Sequence, residues 1–229
     1  MTIHSERAAV SVPVDCDYWL DAPAGVDDSA LAVVSLHGYG SHPEAMLRLT
    51  RDMVGPEHVV ASIQGPNQFY PGQPGDPNSA VTVYNWGTRA HPALNIRVHH
   101  HLVRAVLSLL RDRLGIPARR TVLCGFSQPV GLNYRFAGTW PDEIGGVIGI
   151  CGGVPKDWEE DKYRTVEAPI LHIAREEDEF YPPDVTRGFA ARLRRHAADV
   201  EFHLLPGKHR FPSKARTIVE PWLKKVALR

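Results

Sequence analysis

The sequence predicts an α/β fold with a mostly parallel central sheet flanked by helices, and three observations carry that prediction. Short apolar runs rich in β-branched residues recur along the chain, segments with helical period separate them, and most runs are apolar at nearly every position, as strands covered on both faces are. Strand and helix signals that alternate in this way give a doubly wound sheet. A length of 229 residues fits a single domain over 1–229.

The elements follow in order. Residues 8–20 could add one or two antiparallel edge strands before the first core strand, LAVVSLH (31–37). LHGYGSHPEAM then makes a tight turn into a helix, and HVVASIQ (58–64) is the next strand. QGPNQFYPGQPGDPNSA (64–80), rich in Pro, Gly and Asn, reads as a long loop ahead of the aromatic stretch VYNWGT (83–88), and long loops in compact domains are often functional. Further strands are expected at RTVLCGF (120–126), GGVIGIC (145–151), APILHIA (168–174) and VEFHLLP (200–206), and helices at 96–115, 129–138, 183–197 and 212–226. There is no internal repeat, no low-complexity tail and no insertion large enough for a cap domain.

Composition narrows the classes of function. Lys plus Arg number 26 and Asp plus Glu number 26, so no overall field draws the chain to nucleic acid or an anionic membrane. A small, locally recognised substrate is expected instead. Cys16, Cys124 and Cys151 have neither zinc-site spacing nor the density of a disulfide scaffold and read as reduced thiols. The N-terminal stretch lacks the pattern of a signal peptide, and no run approaches the roughly 18 apolar residues of a membrane span. A soluble cytoplasmic protein is the expectation.

Open α/β sheets bind ligands beyond the carboxyl ends of their strands, so residues just after each apolar run are the informative ones. His37-Gly38-Tyr39-Gly40 follows the first core strand, where a main-chain N–H can serve as an oxyanion donor. Gly125-Phe126-Ser127-Gln128-Pro129 follows the strand at 120–126 and resembles a nucleophile elbow, G-x-S-x-G, with Pro129 in place of the last glycine. The serine can also be an ordinary helix cap. The next strand ends in four acids, Glu176, Glu177, Asp178 and Glu179, which alone read equally well as a solvated loop. The last strand leads to Gly207-Lys208-His209, a histidine in a glycine turn. Serine, then acid, then histidine at successive strand ends is the chain order of an α/β-hydrolase triad, although these residues do not say which acid serves.

On LHGYG, IQGP, GFSQ, PILHIAREEDEFYP and GKHRF, spread over nearly the whole chain, the sequence resembles the phospholipase/carboxylesterase family, the acyl-protein-thioesterase-like α/β hydrolases. The resemblance implies an α/β-hydrolase fold without a large cap, Ser127 as nucleophile, Asp178 as orienting acid with Glu177 next in line, and His209 as base. It implies oxyanion donors from the backbone of Tyr39 and Gln128, an ester or thioester substrate, and neither cofactor nor metal. Three departures stand out: Pro129, Ala174-Arg175 where the family often has His-Gly, and Tyr181 where it usually has valine.

Tyr70, Trp86, Phe180 and Tyr181 could line an acyl pocket, with core packing an equal account of each. His99, His100 and His101 are about 100° apart on a helix and cannot converge on one ion, so they read as helix surface. Cys124 and Cys151 read as structural rather than catalytic. The expected function is hydrolysis of carboxylic esters or thioesters through an acyl-enzyme. The alternatives are a non-catalytic ligand-binding member of the same fold and a peptide or lactone hydrolase with the same triad. The sequence does not fix the assembly state, and a homodimer is compatible with it.

Overall fold

The computed structural model describes residues 6, 8, 10–26, 30–73, 75 and 80–229. The chain begins with strands β1 (Tyr18–Asp21) and β2 (Ala32–Leu36), helix α1 (Pro43–Val54) and strand β3 (Val59–Ile63). Strands β4 (Asn67–Phe69) and β5 (Val83–Asn85) precede the long helix α2 (Pro92–Leu114). Then come β6 (Thr121–Phe126), α3 (Val130–Thr139), β7 (Gly146–Ile150) and β8 (Ile170–Arg175). Two short helices, α4 (Pro183–Thr186) and α5 (Phe189–Leu193), lead to β9 (Val200–Leu205) and α6 (Ala215–Ala227).

Seven strands form one sheet in the order β1-β3-β2-β6-β7-β8-β9; β1 is antiparallel to β3 and every other pairing is parallel. This is the α/β-hydrolase fold, and among the described residues no large cap covers it. The pleat explains why the central runs are apolar throughout. Val33, Val60, Val122 and Ile148 face α1 and α6, packing with Met46, Met53, Val219 and Trp222. Their neighbours Val34, Ala61, Leu123 and Val147 face the opposite way, onto Val103, Leu110, Tyr134 and Phe136 of α2 and α3. Each strand thus buries both sets of side chains, at roughly 25 cal/mol for every Å² of apolar surface removed from water.

After β3 the chain passes to the other side of β2 to form β6, so the connections diverge between β2 and β6. A crevice opens at the carboxyl ends of two such strands. The turn after β2 carries Tyr39 and the turn after β6 carries Ser127, so both lie on that crevice.

The outer elements differ from expectation more than the inner ones. Of the one or two edge strands expected over 8–20, one forms among the described residues, at Tyr18–Asp21. The loop expected over 64–80 lies partly outside the described residues, but Asn67–Phe69 within it is not loop: it pairs antiparallel with Val83–Asn85 in a separate two-stranded sheet. The helix expected over 183–197 is divided into α4 and α5 at Arg187-Gly188, glycine being a poor helix former. No helix among the described residues is long and apolar enough to cross a membrane.

Candidate active site

Ser127, Gln128 and Pro129 make the sharp turn from β6 into α3. Ser127 lies in the left-handed region at φ 63°, which costs a non-glycine residue on the order of 1–3 kcal/mol. Two bonds hold it there: its N–H donates to the Ile150 carbonyl at 2.8 Å, and its own carbonyl accepts from Val130 N–H at 3.2 Å.

The structure brings Ser127, His209 and Asp178 together. His209 Nε2 lies 2.8 Å from Ser127 Oγ, and Nδ1 lies 2.8 and 3.0 Å from the two carboxylate oxygens of Asp178. Asp178 is 3% exposed, and its Oδ1 also accepts from the N–H groups of Phe180 and Tyr181, each at 2.9 Å. A buried carboxylate with these donors is an acceptor only, so Nδ1 of His209 carries the proton and Nε2 presents its lone pair to the serine hydroxyl. Of the four acids, Asp178 alone is buried. Glu177 is exposed, with its N–H bonded to the Gly207 carbonyl, and Glu179 accepts from the backbone N–H of His209 at 3.2 Å. The acid loop therefore holds the histidine loop through both side chain and main chain.

Tyr39 and Gln128 stand on the two turns that flank the crevice, and neither N–H meets a backbone acceptor among the described residues. The turn bearing Tyr39 is held from several sides. Gly40 N–H donates to the Tyr84 carbonyl at 3.0 Å, and the Trp86 indole N–H donates to the His37 carbonyl at 2.8 Å. The His37 ring donates from Nδ1 to the Gly38 carbonyl at 2.8 Å and accepts at Nε2 from Gly65 N–H at 2.9 Å. Burial lowers the His37 pKa to about 4, so the ring is neutral and this tautomer persists. The Gln128 side chain accepts from Trp86 N–H and donates to the Gly87 carbonyl, both at 2.9 Å, tying the strand after the long loop to the elbow.

The structure assigns Cys151 a place that the sequence did not. It directly follows β7 at φ 49°, and its Sγ–H donates to the Arg210 carbonyl at 3.6 Å. Its sulfur, an Asp178 oxygen and a His209 ring nitrogen all lie within 4.8 Å of one another. Burial, helped by the charge of Asp178, raises the thiol to about 12, so Cys151 is a neutral wall of the site rather than a thiolate. Ser127 and Cys151 are the two non-glycine residues at positive φ among the described residues, and each directly follows one of two adjacent strands, β6 and β7. Arg175, at one of the family departures, lays its guanidinium where a Cβ on Gly207 would stand, 2.1 Å from the Nη2 atom. Gly207 itself lies at φ 118°, a backbone conformation that favours glycine.

The expected pocket residues divide. Phe180 and Tyr181 pack their rings on His209 at centroid distances of 4.7 and 6.1 Å. Tyr70 is exposed and Trp86 is 1% exposed, its indole in the core against His37 and His99. The helix-surface expectation for His99 and His100 is overturned: both are buried, and only His101 of the three is exposed. His99 Nε2 bonds Asn133 Oδ1 at 3.0 Å, and His99 and His100 pack edge-on to Phe136. Helical periodicity could not show this, because α2 buries a stripe wide enough to include two consecutive residues. The side-chain roles of His37, Gln128 and Cys151 had little sequence signal beyond their places at strand ends, their partners lying 28–59 residues away in most cases.

A model of the phospholipase/carboxylesterase family matches residues 24–227. No curated relative matches the sequence. Among solved structures, the chain is similar to the carboxylesterase of Bacillus cereus at 14% identity and a TM-score of 0.73, over 92% of this chain and 94% of that one. It is similar to esterase PE8 at 21% identity and a TM-score of 0.71, over 93% and 100% of the two chains. A carboxylesterase of Mesorhizobium loti aligns at 19% identity and a TM-score of 0.70, over 90% and 93%. At such identities the structural likeness speaks to the fold.

Proposed function

The chain belongs to the phospholipase/carboxylesterase family, and from that premise we propose that it is a serine hydrolase cleaving carboxylic esters or thioesters through an acyl-enzyme. One observation carries the reading: Ser127 Oγ, the His209 ring and the Asp178 carboxylate form a continuous hydrogen-bonded chain with 2.8 Å contacts on both sides of the imidazole. Ser127 attacks the carbonyl carbon as its proton passes to Nε2 of His209. The imidazolium so formed is stabilised by Asp178, which keeps its charge throughout. The N–H groups of Tyr39 and Gln128 bind the oxyanion, in a crevice where such donors act with little reorganisation.

Collapse of the tetrahedral intermediate expels the alcohol or thiol with the proton from His209. Water, deprotonated by the same ring, then repeats the sequence on the acyl-enzyme and releases the acid. None of these steps calls for a cofactor or a metal. The reading treats 1–229 as one domain acting on a small molecule. The free state of Cys16, Cys124 and Cys151 supports a reducing, cytoplasmic setting.

A fluorophosphonate probe tests the nucleophile. It should label the wild type at Ser127 and leave a folded Ser127→Ala variant unlabelled, and hydrolysis of p-nitrophenyl esters should fall by about 10⁴-fold or more in that variant. Equal rates in the two proteins would remove Ser127 from the mechanism. A folded wild type that neither labels nor turns over any ester would leave a ligand-binding protein on a hydrolase fold.

A further inference from the structure

Two adjoining cavities run from the elbow along α2 and α3. The first, of 330 Å³, starts at Gln128 and is bounded by Arg89, Ile96, Leu132 and Arg135. The second, of 440 Å³, shares Ile96 and Arg135 with it and continues past Arg97, Arg104 and Lys162. Together they are lined by five cationic side chains, Arg89, Arg97, Arg104, Arg135 and Lys162, against a single carboxylate, Asp157. In a chain of formal net charge zero this is a local excess, not a reflection of overall composition.

Part of the excess is already engaged. Arg135 and Lys162 pair with Asp157, and Arg104 pairs with Glu143 at 2.9 Å while lying 4.1 Å above the Trp140 ring. Arg89 and Arg97 have no hydrogen-bonded or ion-paired partner among the described residues. Ile96 lines both cavities and Leu132 the first, so apolar side chains share the walls with Arg89 and Arg97. Arg135 directs Nη1 back to the Gly131 carbonyl at 3.4 Å. Gly131 lies in the first turn of α3, four residues beyond Ser127, and Gln128, the residue after the nucleophile, lines the first cavity itself, so the groove opens beside the elbow.

We propose that this groove selects esters carrying a second, anionic group, a carboxylate or a phosphate, several carbons from the scissile carbonyl. The apolar walls take the intervening carbon chain, and Arg89 and Arg97 take the charge, planar guanidinium forks being suited to both anions. The inference rests on the hydrolase reading above and adds a substrate class to it.

Matched pairs of substrates test it. One pair is p-nitrophenyl hexanoate and the mono-p-nitrophenyl ester of adipic acid, with the carboxylate on the acyl side. The other is butyryl glycerol and butyryl glycerol phosphate, with the phosphate on the alcohol side. At low salt the anionic member of one pair should be favoured about tenfold in kcat/KM, and the pair that shows this identifies the source of the charge. The anionic-to-neutral ratio should collapse in the double variant Arg89→Gln, Arg97→Gln and shrink in about 0.5 M NaCl, where exposed charges are screened. Neutral members equal or better in both pairs, or a preference that survives both substitutions, would overturn the proposal. If the wild type hydrolyses none of the four, the hydrolase reading fails separately. The groove is then judged by calorimetry with adipate: binding by the wild type that the double variant loses upholds it, and no binding by the wild type ends it.

Discussion

Two groups of histidines set the molecule's chemistry in contrast. His209 lies on a loop beside a glycine, is partly exposed, and has a carboxylate on one nitrogen and a hydroxyl on the other. His99 and His172 are wholly buried in the helix-covered core. Each has one neutral partner, Asn133 at 3.0 Å for His99 and the Tyr134 hydroxyl at 2.6 Å for His172, and each leaves its other nitrogen unpartnered. Burial lowers both to a pKa of about 3. An imidazole that must accept and return a proton needs access and a counter-charge, and an imidazole that fills a core needs neither. The residue type is common to both, and the surroundings decide the role.

The contrast is broken most directly by exchanging consequences. His209→Ala should lower kcat by about 10⁴-fold or more while leaving urea unfolding close to the wild type, because the ring contributes chemistry rather than core. His99→Ala should do the reverse, costing about 2–4 kcal/mol of stability for the buried volume it removes and changing kcat by less than about tenfold. A His99 variant that kept its stability and lost its turnover would merge the two groups and defeat the distinction.

What the sequence made legible follows the same division. The inner strands could be read because being covered on both faces leaves a continuous apolar signature, as in LAVVSLH and APILHIA. Ser127 and His209 stood out because strand-end position and chain order are themselves constraints, and Asp178 emerged only through the family resemblance. The short pair β4 and β5 left no such trace, since three-residue strands carry too little alternation to be told from loop. The burial of His99 and His100 depends on how α2 packs against Trp86 and the α3 residues Asn133 and Phe136, and Gln128 acts through groups some 41 and 42 residues away. Those are properties of packing, which a local pattern does not encode.

Gln128 sharpens the comparison from the catalytic side. Its backbone N–H is an oxyanion donor in the proposed mechanism and its side chain clamps Trp86 N–H and the Gly87 carbonyl, so one residue joins that proposed role to the edge of the buried cluster. Gln128→Ala keeps the main-chain donor and frees the clamp. A loss of about 10–100-fold in kcat/KM is expected, since displacements near 1 Å at a catalytic site carry costs of that order. Steady-state kinetics with an unchanged Ser127 labelling stoichiometry would show it, and an unaltered rate would mean that the clamp positions nothing that matters to turnover.

Acid should find the buried group first. His37, His99 and His172 have folded pKa values lowered to about 4, 3 and 3, against an unfolded value near 6.5, so the unfolded chain binds protons that the folded chain excludes. Their neutral burial is therefore fully compatible with folding above about pH 6.5. Stability is lost as the pH falls from there toward the folded values, by up to about 1.4 kcal/mol per pH unit for each ring. Denaturant unfolding at pH 7 and pH 5 measures this, and His172→Phe should flatten the slope. An identical slope in that variant would show that His172 does not contribute to it.

The smallest effect is expected at the elbow's proline. Pro129 is buried at φ −76° and ψ −9°, its carbonyl accepts the first helical bond from Asn133 N–H at 2.8 Å, and the N–H it lacks is one that the proposed mechanism does not use. The space a glycine would provide here is found on the neighbouring strand. A Cβ on Gly149 would come within 2.2 Å of the Tyr134 hydroxyl, and one on Gly152 within 2.3 Å of Val130 Cβ and 2.6 Å of the Ser127 carbonyl. The helix after the elbow thus packs onto glycines of β7 and the turn beyond it, and the proline is free to stiffen the turn. Pro129→Gly should lower stability by about 0.4–1 kcal/mol, chiefly by loosening the unfolded chain, and leave kcat within about threefold. A large fall in kcat with little change in stability would mean instead that the ring itself holds Ser127 at its left-handed φ, making the departure from the elbow pattern part of the catalytic geometry.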